Sequence, residues 1–265
     1  MQQIVFGNYL PGNSLIHRLN PVTKILAVLL LITWTLVANN WLNYGILGCA
    51  LIVQISAARL SLSMMLHTII PFLWLIGFTL LIQILFGTGG TIYFHWGVVK
   101  ITSTGLVTAG LILVRFTLII MEAALLTMTT SPNAIAAGIE RLLQPLKRLK
   151  VPVSTIGMMI SIALRFIPTL LTELQTIMDA QRSRGTNFNQ GKLWERVRNI
   201  GTLIIPLLVA SFRHADHLAD ALGASGYSVQ AVRTSYRKFI WRPADTGSLG
   251  LVIVLGLLVL GTRGF

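Results

Sequence analysis

Residues 154–185 read STIGMMISIALRFIPTLLTELQTIMDAQRSRG. The first half is apolar enough for a membrane helix, but Arg165 and Pro168 interrupt it, and the second half turns polar before a stop at Gly185. Residues 192–227, KLWERVRNIGTLIIPLLVASFRHADHLADALGASGY, repeat that grammar: an apolar middle with a proline (Pro206), then acidic and polar turns, then small residues. A charged side chain at the bilayer centre costs roughly 2.5–3.5 kcal/mol on insertion scales. Arg165 in the first stretch, and Arg213 and Asp216 in the second, therefore predict two long helices that cross beneath a membrane domain rather than thread it.

The membrane domain is legible from composition. The 265 residues are 54% hydrophobic and only 11% charged, with a mean hydropathy of +0.74; soluble domains carry about 25% charged residues. The fold class expected is an all-α integral membrane protein with about five transmembrane helices. The first begins near Pro21, a residue suited to the first helical turn, and runs through ILAVLLLITWTLVA. The others are Trp41 to Ala58, His67 to Gly87, Gly105 to about Thr130, and the run GLVIVLGLLVLG from Gly250 to Gly261. The N-terminal stretch lacks the basic segment and immediate apolar core of a cleaved signal peptide and reads as an entry loop. Cys49, alone in an apolar run, reads as a packed thiol.

Lysines and arginines orient these spans. Arg18 and Lys24 precede the first, Arg59 follows the second, and the long loop TGGTIYFHWGVVKITST carries only Lys100. Fifteen of the 21 Lys and Arg residues fall between Arg141 and Arg242, so the net charge of +13 is concentrated in one region. The expected organisation is a four-span domain over residues 1–130, a cytoplasmic coupling domain over 131–245 and a last span over 246–265. This places the N-terminus in the cytoplasm and the C-terminus outside, in a multi-pass protein of the cell membrane. The basic residues alternate with long apolar stretches and form no nucleic-acid-binding motif, so they fit topology and anionic lipid headgroups instead.

The cytoplasmic region opens with TSPN. Pro132 fits a first turn, and Ile135, Ile139, Leu142, Leu143, Leu146 and Leu149 recur at helical spacing opposite Arg141, Lys147 and Lys150. This amphipathic helix, bent at Pro145, completes a platform with the two long helices.

The end of the first long helix can act as a tip. Gly185 can take the left-handed conformation that ends a helix, and Arg184 then projects a guanidinium from the negative end of the helix dipole between small neighbours. Such a tip can enter a groove and pair with a carboxylate; a plain helix cap with solvated arginines is the alternative.

Three segments, YLPGNSLIHRLNPVTKI, ALRFIPTLLTELQTIMDAQRSRG and IPLLVASFRHADHLADALGASGY, together resemble the T component of energy-coupling factor transporters, the membrane scaffold of a class of bacterial ABC importers. The resemblance implies that the two long helices are crossing coupling helices, each ending in a short Ala-Arg-Gly-type motif that docks into one of two ABC ATPase subunits. Matched residue by residue, Ser183, Arg184 and Gly185 would form the first docking tip and Ala224, Ser225 and Gly226 the second, with Arg182 and Asp220 in support. Ser225 stands where the family usually has arginine, so the two contacts should be chemically unequal. The resemblance further implies a small membrane S component that captures a vitamin or metal ion. Its expected contacts are Ile135, Ile139, Leu142 and Leu146 on the amphipathic helix, and Ile156, Met159, Ile160 and Ala163 on the first long helix. No cofactor is expected in this chain, since ATP and magnesium would be bound by the partner ATPases.

Other residues suggest different chemistry. His214 and His217 share a helical face without a third dedicated ligand, which fits an interhelical polar face better than a metal site. Arg115 and Glu122 lie seven residues apart on the fourth span, about 10 Å along the axis, and charges at membrane depth can mark an ion path. That makes a self-sufficient secondary transporter the rival function, although each of the two side chains is expected to meet a neighbouring helix or the interface. A purely structural membrane anchor is a third possibility. The sequence holds no G-x-x-x-x-G-K-[ST] phosphate loop, no H-E-x-x-H and no G-x-S-x-G, so the energy for transport has to come from elsewhere and no catalytic residue is expected.

Overall fold

The computed structural model describes residues 9–87, 89–96, 99–149, 152–186, 188, 193–227 and 241–262. Lys150 and the stretch 228–240 of the basic region lie outside them. The protein is an all-α integral membrane protein that divides into two compact units, Met1–Leu142 with Phe239–Phe265, and Leu143–Lys238.

In the first unit, α1 (Pro21–Val37) starts where the Asn20 side chain accepts the Val22 N–H at 3.0 Å, with Pro21 in the first turn. A three-residue connection leads to α2 (Trp41–Ala58), which stops at Arg59 in the left-handed conformation, φ 56°. The expected third span is broken: α3 (Leu62–His67) is followed by a 3-10 turn, Ile70–Phe72, and α4 (Leu73–Phe86). Pro71 explains the break, because it has no N–H to continue the ladder. The loop that follows, with Lys100 its one Lys or Arg, forms an antiparallel hairpin, β1 (Ile92–Trp96) with β2 (Val99–Thr102). The hydroxyl of Thr102 then accepts the Gly105 N–H at 3.1 Å and opens α5 (Ser103–Thr129). The amphipathic helix α6 (Pro132–Leu143) tightens to a 3-10 segment over Gln144–Leu149, which contains Pro145.

The last helix, α9 (Pro243–Gly261), starts seven residues before the apolar run. Asp245, 1% exposed, explains this: one carboxylate oxygen accepts the Arg242 N–H at its own helix start, and the other accepts the Asn20 N–H at the start of α1, both at 2.8 Å. The starts of α1 and α9 are thereby joined. Their far ends also lie together, since the Thr262 hydroxyl donates to the Asn43 side chain and Asn40 donates to the Thr262 carbonyl. The end of α5 returns to the side where α1 begins, because the Lys24 ammonium donates to the Thr129 carbonyl at 2.9 Å. Residues 20, 59, 130 and 242 therefore share one side of this unit, and the connection 38–40, the hairpin and residue 262 share the other.

The core of the unit is formed by Leu31, Tyr44, Leu47, Leu51, Met65, Leu118, Leu125 and Val259. The contact between α1 and α9 is tight, since a Cβ on Gly256 would collide with the Trp34 ring.

In the second unit, α7 (Val153–Ser183) and α8 (Leu193–Ala224) run unbroken through Pro168 and Pro206. Among the described residues, five helical stretches are long and apolar enough to cross a membrane: Trp41–Ala58, Leu62–Phe86, Ser103–Thr129, Thr155–Ser183 and Pro243–Gly261, while Pro21–Val37 is shorter. Length and apolarity thus admit α7, which the sequence reading set aside for its charges, and do not admit α8.

The α1–α9 contact gives a test. Gly256→Ala should lower the unfolding midpoint in detergent, by the equivalent of about 1–3 kcal/mol for an overpacked site. Gly250→Ala, where a Cβ meets nothing within 4 Å, should leave it unchanged or raise it.

Candidate functional site

The two predicted tips close with the same hydrogen-bond pattern. At the end of α7 the Arg184 N–H donates to Ala180 at 3.2 Å, Gly185 to Arg182 at 2.9 Å and Thr186 to Gln181 at 3.0 Å. At the end of α8 the Ser225 N–H donates to Ala221, Gly226 to Gly223 and Tyr227 to Leu222, each at 3.0 Å. Gly185 at φ 86° and Gly226 at φ 74° occupy the same left-handed position. Both ends are Schellman turns, in which the residue after glycine reaches back five residues to a carbonyl that would otherwise be unpaired. A Cβ at either glycine would meet nothing within 4 Å; glycine is needed here for its φ and not for space.

Registering the two turns on their glycines puts Arg184 level with Ser225 and Ser183 level with Ala224. All six residues of the tips are exposed, as is Asp220. Arg182 pairs with Asp179 one turn back at 3.2 Å, an exposed (i, i+3) contact worth little on its own. Arg184 has no ion pair among the described residues, and its guanidinium stands at the carbonyl end of α7. The Ser225 hydroxyl donates to the Leu222 carbonyl at 2.8 Å, and Ser183 to Asp179 at 3.0 Å. The tips therefore share a backbone shape and differ in one cation.

Their separation follows from how α7 and α8 pack. Tyr227, just past the second tip, donates to the Met158 sulfur in the second turn of α7 at 2.9 Å. Farther along, His214 of α8 faces Glu173 of α7 at 3.9 Å, and its ring lies 6.1 Å from that of Phe166. The two helices run in opposite directions, so the second tip lies beside the start of α7 and the first lies at its far end. From Met158 to Arg184 the helix rises about 39 Å at 1.5 Å per residue.

The candidates for an S-component contact fall in both units. Ile156, Met159, Ile160 and Ala163 form an exposed stripe on one face of α7 at spacings of three and four. On α6 and the 3-10 segment, Ile139 and Leu146 are exposed, while Ile135 and Leu142 are half-buried.

Arg115 and Glu122 do not meet. The Arg115 guanidinium donates to the Tyr44 hydroxyl at 2.9 Å and to the Ala38 carbonyl at 3.0 Å, and Gln54 donates to Glu122 at 3.4 Å. Each side chain is held by a different part of α2 and its approach. Lys24 and Asp245, which fix the helix ends of the membrane domain, were missed as structural residues. Asp245 was signalled by an acid at the third helical position after Pro243.

Over residues 12–236 the chain matches the family described as CbiQ, cobalt transport protein. It is 41% identical over 261 residues to the energy-coupling factor transporter transmembrane protein EcfT of Limosilactobacillus fermentum, covering 98% of both chains. It is likewise 41% identical over 263 residues to the protein of that name from Bacillus subtilis, covering 99% of both. The chain belongs to the T-component family of energy-coupling factor transporters. It is a multi-pass membrane subunit of a transporter.

Gly185→Ala and Gly226→Ala should each cost about 1 kcal/mol, the penalty of a left-handed non-glycine residue. Hydrogen exchange should speed up in the last turn of the altered helix alone. Gly201→Ala, inside α8 with open space around its Cβ, should slow it or leave it unchanged.

Proposed function

We propose that this chain is the scaffold that couples ATP hydrolysis by two ABC ATPase subunits to reorientation of a membrane-embedded S component, for uptake of a vitamin or related micronutrient. The observation that carries the reading is the pair of identical glycine-closed helix ends at opposite ends of an antiparallel helix pair. Two exposed, rigid tips about 39 Å apart along a helix suit two separate partner subunits and do not suit one shared pocket. Each tip presents a narrow profile, Ser183–Arg184–Gly185 or Ala224–Ser225–Gly226, with Arg182 and Asp220 beside them. ATP and magnesium would be bound by the partners. The exposed stripe from Ile156 to Ala163 on α7 is a surface offered to the S component, and Ile135, Ile139, Leu142 and Leu146 are further candidate contacts. Closing of the ATPases would move α7 and α8 as levers and carry that surface with them.

The geometry of the membrane domain supports a cytoplasmic position for this platform. The chain leaves that domain after Thr130 and re-enters at Arg242 on the same side, so the segment between crosses the bilayer an even number of times or not at all. α7 is apolar enough to cross and α8 is not, which favours zero crossings. The shared side holds Arg18, Lys24 and Arg59, whereas the hairpin side has Lys100, so the N-terminus is read as cytoplasmic and the C-terminus as outside. Arg115 and Glu122, bound separately by α2, give no support to a proton or ion relay in a self-sufficient carrier.

The two docking contacts differ in kind. Arg184 would form a charge-assisted pair with a carboxylate of its ATPase, while Ser225 would dock through shape and helix-end carbonyls. Arg184→Glu should reduce ATPase co-purification by roughly 30-fold or more, since losing one partner of a buried charge pair costs about 2–5 kcal/mol. Ser225→Glu should reduce it much less. Equal losses in the two variants would contradict the asymmetry.

A further inference from the structure

A cavity of about 800 Å³ lies inside the membrane domain, walled by α1, α2, α5 and α9. It opens sideways along α2, where the lining residues Trp41, Leu42, Cys49 and Val53 are exposed. The α2 wall runs from Trp41 to Ala57, about 24 Å at 1.5 Å per residue, longer than the roughly 15 Å of one leaflet's hydrocarbon. A complete acyl chain fits along it.

The walls are apolar except toward the side where α1 begins. There the lining includes Thr23, Lys24, Gln54, Thr129 and Ser248. Thr23 is 0% exposed, and its hydroxyl has no hydrogen-bond partner among the described residues. Lys24 cannot supply one, because its ammonium already donates to the His17 carbonyl, the Thr129 carbonyl and the Thr130 hydroxyl. A buried hydroxyl left unpaired beside an otherwise apolar groove points to a ligand with a polar group at that end. Two exposed cations flank the same end: Arg18 precedes the lining residue Leu19, and Arg59 follows the lining residue Ala57 by two positions.

We propose that this groove is a binding site for an anionic phospholipid. The acyl chain lies along α2, a polar oxygen near the glycerol accepts the Thr23 hydroxyl, and Arg18 and Arg59 pair with the headgroup phosphate. The site is independent of the docking tips and of the coupling reading.

Native mass spectrometry of the full chain in mild detergent tests it, with phosphatidylglycerol and phosphatidylcholine of matched acyl chains as probes. The wild type should retain one phosphatidylglycerol at least ten-fold better than phosphatidylcholine. Arg18→Gln with Arg59→Gln should bring the two lipids within two-fold of each other. Gly45→Phe, placed where a Cβ meets nothing within 4 Å, should fill the groove and lower retention of both at least ten-fold. A fluorophore on Cys49, the sole cysteine, gives a second readout that needs no groove-filling variant. Its quenching by acyl-brominated phosphatidylglycerol should exceed that by brominated phosphatidylcholine at equal mole fraction. Equal retention and equal quenching of the two lipids would overturn the proposal. So would retention unaffected by Gly45→Phe, or cross-linking of Cys49 to a partner's helix in the assembled transporter with no lipid bound.

Discussion

The membrane domain depends on matching buried charges to helix ends. A bilayer offers no hydrogen-bond partners, so carbonyls and amides left over at a helix terminus must be met by the protein itself. Arg115 meets the Ala38 carbonyl past the end of α1, together with the Tyr44 hydroxyl, which donates to the same oxygen at 2.8 Å. Lys24 meets the last carbonyl of α5. Asp245 meets the amides that open α1 and α9. Cations stand at negative helix ends and the anion stands at positive ones, the arrangement in which helix dipoles favour them. The same three contacts fix which helix ends lie together, and hence the side from which the polar region leaves and returns.

Glu122 is the exception that this pattern brings out. It lies in the middle of α5, 3% exposed, with Gln54 on one oxygen and no partner for the other among the described residues. It caps nothing. Its neighbour Gln54 lines the groove proposed for lipid, so the one buried carboxylate off a helix end among the described residues touches the wall of that groove through one side chain.

Sequence was a good guide wherever one local rule acted alone. Pro21 marked the start of α1 and Gly185 the stop of α7, because a proline without a donor and a residue at positive φ leave few alternatives. The hairpin at residues 92–102 was missed because its strands are short and its turn has no Asn-Gly or Asp-Gly signature. The extra turns at the start of α9 were missed because Asp245 reads as an interruption of an apolar run until Asn20 is known to lie beside it, 225 residues away in sequence. Arg115 and Glu122 were legible in part: two turns apart on one helix they are too far to pair, and the placement of α2 supplies what the spacing could not, their separate partners Tyr44 and Gln54. The shared shape of the two tips was half-visible: both glycines could be read, whereas the antiparallel packing that sends the tips to opposite ends required the contacts of Met158, Phe166 and Glu173.

The second unit inverts the logic of the first. Many of its polar groups are exposed, and so is much of its apolar surface: Met159 on α7, and Ile205, Leu208, Val209 and Phe212 on α8 are each more than half exposed. A chain alone in water does not keep so wide an apolar face uncovered. Lipid cannot cover it all, because Arg213, Asp216 and Asp220 follow within the same helix. Alternating apolar and charged turns along one rod fit a surface covered by other proteins in sections, apolar where a membrane neighbour rests and charged toward a soluble one. Under the proposed coupling role, the glycine-closed tips at the two rod ends would mark where the soluble neighbours begin.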